Sequence, residues 1–233
     1  MKINYKLKEI YKRIFLVTVK DTYDLAMTFC RLQEYYESPF KQIRGKTFNM
    51  AEFQRMYAKK FGDGIFTYPA DWVGFNVPGN VLDEFISASF EDWGSEYDFT
   101  INEIHWQITD EHESYNETDP YYLIGTEPKD KNTIKHEICH ALYYLDKEYQ
   151  KSVNSIISEL NRSVFAQFRS HLLNIGYSKQ VITDEINAYI CVDSYQLTDS
   201  AKMNKREKKN FQNIQSKLKI LFTKTLSARK NIA

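Results

Sequence analysis

Two histidines and a glutamate form the short motif in this chain whose spacing suggests chemistry. His136, Glu137 and His140 stand in the order H-E-x-x-H within the segment KHEICHALYYLD. Residues four apart lie above one another on one face of an α-helix, so both imidazoles can face one metal ion. The glutamate is placed to take a proton from a water that the metal activates. The motif therefore predicts a zinc (Zn2+) site on a helix.

A catalytic zinc ion needs a third protein ligand beyond two histidines. The residues downstream that could supply it are Asp146, Glu148, Glu159, His171, Asp184, Glu185 and Asp193. Asp146 falls where one group of zincins places its last ligand, in the pattern H-E-x-x-H-x-x-G-x-x-H or Asp. However, Tyr143 occupies the glycine position, and on a continuous helix Asp146 would lie about 9 Å along the axis from His140. Asp146 is therefore the minority alternative.

The later segment TDEINAYIC offers a carboxylate in a pattern that a known family shares. An H-E-x-x-H helix followed by a helix bearing Glu-x-x-Ala resembles the gluzincins, zinc peptidases whose third ligand is that glutamate. The resemblance implies three zinc ligands, namely His136, His140 and Glu185. It also implies that Glu137 is the catalytic base and that Ala188 is the small residue that lets the two helices approach. The resemblance covers residues 119–195, and the first 118 residues resemble no family.

Two supporting roles of such a site have several candidates. The family's aspartate that holds a histidine is missing from its usual place, where Tyr189 stands, and Asp184 or Asp193 could hold a histidine instead. Hydrolysis also needs a hydrogen-bond donor for the oxyanion that forms. The candidate donors are Tyr143, His171 and Tyr189. Of these, Tyr189, one turn after Glu185, is the predicted catalytic residue.

The first half of the chain predicts mixed α and β structure. A buried strand is predicted at Ile14–Val19, a helix from Asp21 to Tyr36, and another helix after the N-cap Asn49. Alternation in DFTINEIHWQITD (98–110) predicts a strand, and YYLIGTE (121–127) predicts a second. The family resemblance implies that the second is an edge strand, which would hold extended substrates by main-chain pairing.

The second half, from Thr133 onward, predicts helices throughout. Apolar residues at every fourth position predict one helix through Ile156, Leu160, Val164, Phe168 and Leu172. Ser178 is the predicted N-cap of the next helix, VITDEINAYICV. A final amphipathic helix is predicted from the stripe Phe211, Ile214, Leu218 and Leu221.

The fold class predicted from these elements is α+β and zincin-like, with a small mixed or antiparallel sheet followed by a mostly helical C-terminal half. Residues 1–118 form an N-terminal α+β lobe, and residues 119–233 form the helical portion with the metal site. We expect one continuous compact body, because no clear linker separates the two portions.

Composition limits the compartment and the partners. The formal net charge is zero, with 31 basic and 31 acidic residues. The three cysteines are an odd number far apart in the chain, which argues against a disulfide framework and predicts a reducing compartment, the cytoplasm. No apolar run is long enough for a membrane span. Acidic residues crowd residues 91–130, and residues 201–230 carry ten lysines and arginines against Glu207 alone.

The sequence thus predicts a zinc-dependent metallopeptidase that acts on a protein or peptide substrate. The acidic stretch suggests a preference for basic segments of that substrate. The alternative is a catalytically inactive zincin-like protein that binds or regulates a partner. Nucleic acid is the weakest of the predicted partners, because the basic tail also carries an apolar stripe and lacks a recognisable recognition fold.

Overall fold

The computed structural model describes residues 2–89, 94–111 and 120–229. The chain forms two compact units, Met1–Thr133 and Ile134–Ala233. The predicted α+β class is confirmed at the level of a small mixed sheet accompanied by many helices. The lobe boundary predicted after residue 118 and the single compact body stay predictions. Five residues of the acidic stretch lie outside the described residues, namely Glu91, Asp92, Glu113, Glu117 and Asp119.

The sheet of the first unit contains four strands: β1 (Tyr5–Tyr11), β2 (Ile14–Val19), β3 (Gly74–Pro78) and β4 (Tyr122–Thr126). Their order is β1-β2-β4-β3, with β2 and β4 parallel and the other two pairs antiparallel. The strand predicted at Ile14–Val19 is confirmed.

The expected edge position of the strand before the motif is wrong. β4 is an internal strand, because Ile124 is paired with Leu16 of β2 on one side and with Asn76 of β3 on the other. All five residues of β4 are buried, as expected for a strand covered on both faces. β4 therefore has no open edge within the sheet with which a peptide could pair.

The described residues of the first unit also form five helices: α1 (Thr22–Glu37), α2 (Met50–Phe61), α3 (Tyr68–Asp71), α4 (Gly79–Ser89) and α5 (Glu96–Glu111). The predicted cap of α2 is confirmed, since Asn49 accepts hydrogen bonds from the backbone of Ala51 and Glu52. Asp21 caps α1 by accepting from the backbone of Asp24.

The strand predicted at 98–110 is wrong, because this segment lies in α5. Its isoleucines at 101, 104 and 108 are fully or almost fully buried. Their spacing of three and four residues is that of one helix face. The alternation in this segment favours a strand, but the residues that are buried repeat every three to four positions, as in a helix.

Helix α1 packs on the sheet through aromatic rings. Phe29 of α1 stacks on Phe75 of β3 with ring centroids 5.2 Å apart. Gly125 in β4 makes room for this ring, because a methyl group at that position would lie 2.3 Å from a Phe29 ring carbon. Both aromatic residues are at most 1% exposed, so this contact lies in the core of the first unit.

Six helices follow the sheet: α6 (Lys131–Leu145), α7 (Lys147–Ser158), α8 (Arg162–Asn174), α9 (Ile182–Cys191), α10 (Tyr195–Asp199) and α11 (Lys205–Ala228). The single helix predicted through residues 156–172 is wrong. The chain breaks between α7 and α8, and Asn161 caps α8 by accepting from the backbone of Ser163. The apolar residues keep their spacing of four across the break. Hydrophobic periodicity alone therefore does not show where one helix ends and the next begins.

Two further predictions concern the helices α9 and α11 of the second unit. Ser178 is not the N-cap of α9, because the helix begins at Ile182 and Val181 occupies the cap position without a side-chain hydrogen bond. The final amphipathic helix is confirmed as α11, although Phe222 rather than Leu221 completes its buried stripe. No described helix combines the length and the apolar character needed to cross a membrane.

Candidate metal centre

Helix α6 carries the H-E-x-x-H motif and has a defined beginning. The Asp130 carboxylate accepts hydrogen bonds from the backbone N–H of Thr133 at 3.0 Å and from its hydroxyl at 2.6 Å. These bonds satisfy groups that a helix N-terminus leaves free and lower the pKa of Asp130, the Thr133 hydroxyl contributing most. The start of the helix is thus fixed one and a half turns before His136.

The end of α6 excludes the alternative third ligand. The helix ends at Leu145, and Asp146 caps α7 by accepting from the backbone of Glu148 and Tyr149. The second carboxylate oxygen of Asp146 lies 3.6 Å from the Arg229 guanidinium. Asp146 is therefore engaged at a helix junction and does not join the cluster described next.

Three side chains from α6 and α9 converge. His136 Nε2 lies 3.6 Å from Glu185 Oε2, and His140 Nε2 lies 3.6 Å from Glu185 Oε1. One carboxylate thus faces both imidazoles, one oxygen to each ring. The candidate ligand atoms of the three residues all lie within 4.8 Å of one another. The structure therefore brings together the three residues predicted to bind zinc.

The spacing of these atoms suits a metal ion better than hydrogen bonds. Hydrogen bonds between nitrogen and oxygen span about 2.7–3.2 Å, which is shorter than the two separations of 3.6 Å. Two ligands bound tetrahedrally to zinc at about 2.1 Å lie about 3.4 Å apart. Glu185 Oε2 is also buried without a hydrogen-bond partner among the described residues. A cation between the three side chains would remove the cost of that unsatisfied oxygen.

Asp184 orients the second histidine. Its Oδ2 lies 2.9 Å from His140 Nδ1, the ring nitrogen on the side away from Glu185. When Nδ1–H donates to this carboxylate, the Nε2 lone pair faces the cluster, as metal binding requires. Burial lowers the pKa of His140, but Asp184 and then Glu185 raise it well above its ordinary value. Asp193, the other candidate for this role, instead accepts from the backbone of Tyr195.

Glu137, the predicted base, directly follows His136 on α6. Its side chain is buried, with 6% of the residue exposed. Burial raises the pKa of Tyr177 and of Tyr189, and the charges of Glu185 and Glu137 raise both further. A carboxylate acts on both hydroxyls only if it is close to them. Glu137 therefore lies near the candidate ligands and the two tyrosines.

Tyr189 lies beside the first histidine. Its ring meets the His136 imidazole edge-on, with centroids 4.9 Å apart. Its hydroxyl lies 3.3 Å from the hydroxyl of Tyr177, in the loop between α8 and α9. Sequence reasoning did not find Tyr177, because neither its type nor its spacing distinguishes it among 17 tyrosines. Its position directly after Gly176, whose φ of 111° ends α8, is the one local signal that it sits at a turn.

The other candidate oxyanion donors are placed elsewhere. The hydroxyl of Tyr143 donates to Asn154 Oδ1 of α7 at 2.8 Å. His171 lies in the last turn of α8 and is not part of the three-residue cluster. Cys139, inside the motif, is fully buried and free, as expected for a small apolar packing residue.

The geometry thus brings one carboxylate and two imidazoles together, with the ring of Tyr189 beside one of the imidazoles. This is a donor set that can hold zinc and handle protons beside it. Comparison of the chain with protein-family models, with curated proteins and with solved structures gives no significant match. The interpretation of the site therefore depends on its own geometry.

Proposed function

We propose that this chain is a zinc-dependent metallopeptidase of the gluzincin type, with a zincin-like helical unit. The proposal is based on the convergence of His136, His140 and Glu185. Each imidazole Nε2 lies 3.6 Å from one carboxylate oxygen of Glu185. This set of two histidines and one glutamate is one of the known ligand sets of catalytic zinc. The proposed substrate is a protein or peptide.

His136, His140 and Glu185 would hold the zinc ion, which would supply polarisation of the scissile carbonyl and a water whose pKa is lowered to about 7. Glu137 accepts the proton of the attacking water on a carboxylate oxygen and delivers it to the nitrogen of the departing amine. One water is consumed, and a carboxylic acid and an amine are released. Asp184 holds His140 in the tautomer that leaves Nε2 free.

Tyr189 is the proposed donor to the oxyanion that forms on the carbonyl. Its ring lies edge-on to that of His136, one of the proposed zinc ligands, with centroids 4.9 Å apart. Burial raises its pKa, which keeps the hydroxyl protonated and able to donate at neutral pH.

The proposed compartment is the cytoplasm. All three cysteines, Cys30, Cys139 and Cys191, are buried and free, which is the state that a reducing compartment maintains.

Zinc content tests the ligand assignment. Elemental analysis of the purified protein should give about one zinc ion per chain, and both His140→Ala and Glu185→Ala should abolish it. His171→Ala, which removes a histidine of the same unit outside the cluster, is the matched control and should retain the metal. Full zinc occupancy in the Glu185→Ala variant would refute the assignment.

Turnover tests the proposed activity. Glu137→Gln should keep the zinc and lose cleavage of fluorescence-quenched peptides, because the amide cannot accept the proton. A peptide set with basic and acidic members would also test the preference for basic segments. Zinc binding without any cleavage that depends on Glu137 would favour the alternative, an inactive zincin-like protein that binds or regulates a partner.

A further inference from the structure

Helix α11 has two faces of different character. Phe211, Ile214, Leu218 and Phe222 form a buried stripe, and the helix contacts α7 and α9. The apolar stripe is therefore used inside the second unit. It no longer argues against a binding role for the charges on the other side of the helix.

The exposed side of α11 is strongly basic. We define its cationic face by six exposed residues: Lys205, Arg206, Lys208, Lys209, Lys219 and Lys224. None of the six has an ion pair within residues 2–89, 94–111 and 120–229. The one acidic residue of the helix, Glu207, is half-buried and accepts from the backbone N–H of Asn204 in the capping box. Lys217, by contrast, pairs with Glu159.

This concentration of charge is local, because the whole chain has a net charge of zero. A protein without net charge has no long-range attraction for a polyanion in general. A row of unpaired cations along one helix can nevertheless bind a polyanion whose charges run in a matching line. Four of the six cations lie within residues 205–209 and two lie further along, at Lys219 and Lys224, so the charge pattern points to an extended polyanion.

The dimensions and composition of the face select among polyanions. From Lys205 to Lys224 the cationic face spans about 29 Å, somewhat less than one turn of a DNA duplex. The exposed amides of Gln212 and Asn213 lie among the cations, and such side chains commonly contact phosphates. A membrane-surface helix would instead expose an apolar stripe, whereas the one large apolar residue exposed on α11 is Ile220. The centre of a protein interface is depleted of charged residues, whereas this face carries six cations.

We propose that the cationic face of α11 binds the phosphate backbone of duplex nucleic acid without sequence preference. Phosphates carry the charge and repeat along the duplex, whereas base edges must be read by side chains inserted in a groove. The long, flexible lysine side chains suit the first task. This inference does not depend on the proposed peptidase activity.

The test uses the full chain and a fluorescently labelled DNA duplex of about 20 base pairs, which is about two helical turns. Fluorescence anisotropy should detect binding at about 50 mM salt. The logarithm of the association constant should fall with the logarithm of salt concentration with a slope of about −4 to −5, as expected for four to six neutralised phosphates. Between 50 and 200 mM salt this is a loss of about two to three orders of magnitude.

Replacement of Lys205, Lys208, Lys209 and Lys219 by glutamine should reduce the slope to about −1. The matched control replaces four exposed lysines elsewhere, namely Lys6, Lys8, Lys59 and Lys179. It changes the net charge equally and should retain the original slope. Circular dichroism establishes that both variants are folded.

Three results would overturn the inference. The first is an absence of duplex binding at 50 mM salt by the folded protein. The second is an equal loss of binding in both sets of lysine variants, because net charge rather than this face would then be responsible. The third is binding to vesicles containing phosphatidylserine without binding to the duplex, which would identify a membrane surface.

Discussion

Glu34 of α1 is a buried carboxyl group whose ionisation should destabilise the first unit. Only 4% of the residue is exposed. Burial raises the pKa of Glu34 from 4.5 to about 7, against the opposing effects of Ser38, Tyr68, Arg44 and Lys60. Its Oε2 is also buried without a hydrogen-bond partner among the described residues. The protonated form is therefore the one that the folded core favours.

The size of the effect follows from the pKa difference. A raised pKa in the folded state means that folding takes up a proton between pH 4.5 and 7, so stability is greatest below about pH 4.5 and declines as the pH rises toward 7. The shift of about 2.5 units corresponds to about 3 kcal/mol, which is fully lost above about pH 7. Glu34→Gln keeps the shape of the protonated group and removes the titration. The variant should therefore gain about 3 kcal/mol on the unmodified protein between pH 4.5 and pH 8.

Urea denaturation followed by tryptophan fluorescence measures this difference. Trp72 and Trp106 lie in the described part of the first unit, so their emission reports its unfolding. Glu84→Gln, which neutralises an exposed carboxylate of α4, is the matched control and should leave the pH dependence unchanged. Parallel pH profiles of Glu34→Gln and the unmodified protein would refute the reasoning.

Three further predictions concern the metal centre and the core. Asp184→Asn should weaken zinc binding by about 10–100-fold, because the amide no longer holds the Nδ1–H of His140 as a carboxylate does; competition with a chromogenic chelator measures this. Identical affinity would mean that the 2.9 Å contact does not support the site. Removal of zinc should lower the free energy of unfolding by about 2.7 kcal/mol, relative to protein with free zinc at about 100 times its dissociation constant. Calorimetry with and without a chelator measures this difference. His140→Ala should abolish the difference. Gly125→Ala should cost about 1–3 kcal/mol, since its methyl group meets the Phe29 ring at 2.3 Å, and combination with Phe29→Leu should recover part of the loss in urea denaturation.

Sequence patterns were sufficient to predict features that depend on neighbouring residues alone. The cap Asn49 acts on backbone groups two and three residues away, and the structure has it as predicted. The placement of His136 and His140 on one helix face follows from helical geometry alone. These features need no knowledge of the rest of the chain.

The errors arose where tertiary packing decides. The segment 98–110 is rich in β-branched residues, yet its buried isoleucines are spaced for a helix. The internal position of β4 depends on β2 and β3, which are distant in sequence, so no local pattern specifies it.

The cluster itself also lies beyond local reasoning. Glu185 follows His140 by 45 positions, and only the family resemblance singled it out among seven downstream candidates. Asp184 was one of two possible supports for a histidine, and its distance to His140 selects it. Tyr177 was not found, because its closeness to Tyr189 arises from the turn between α8 and α9.

Adjacent carboxylates of α9 contact opposite nitrogens of the same imidazole ring. Asp184 reaches His140 Nδ1 and Glu185 reaches His140 Nε2. Because the two acids are consecutive, any rotation or translation of α9 displaces both together. Such a movement would therefore disturb both contacts with the His140 ring and not one alone. A sequence that shortens or lengthens the α8–α9 turn by one residue would therefore have to rebuild both contacts at once.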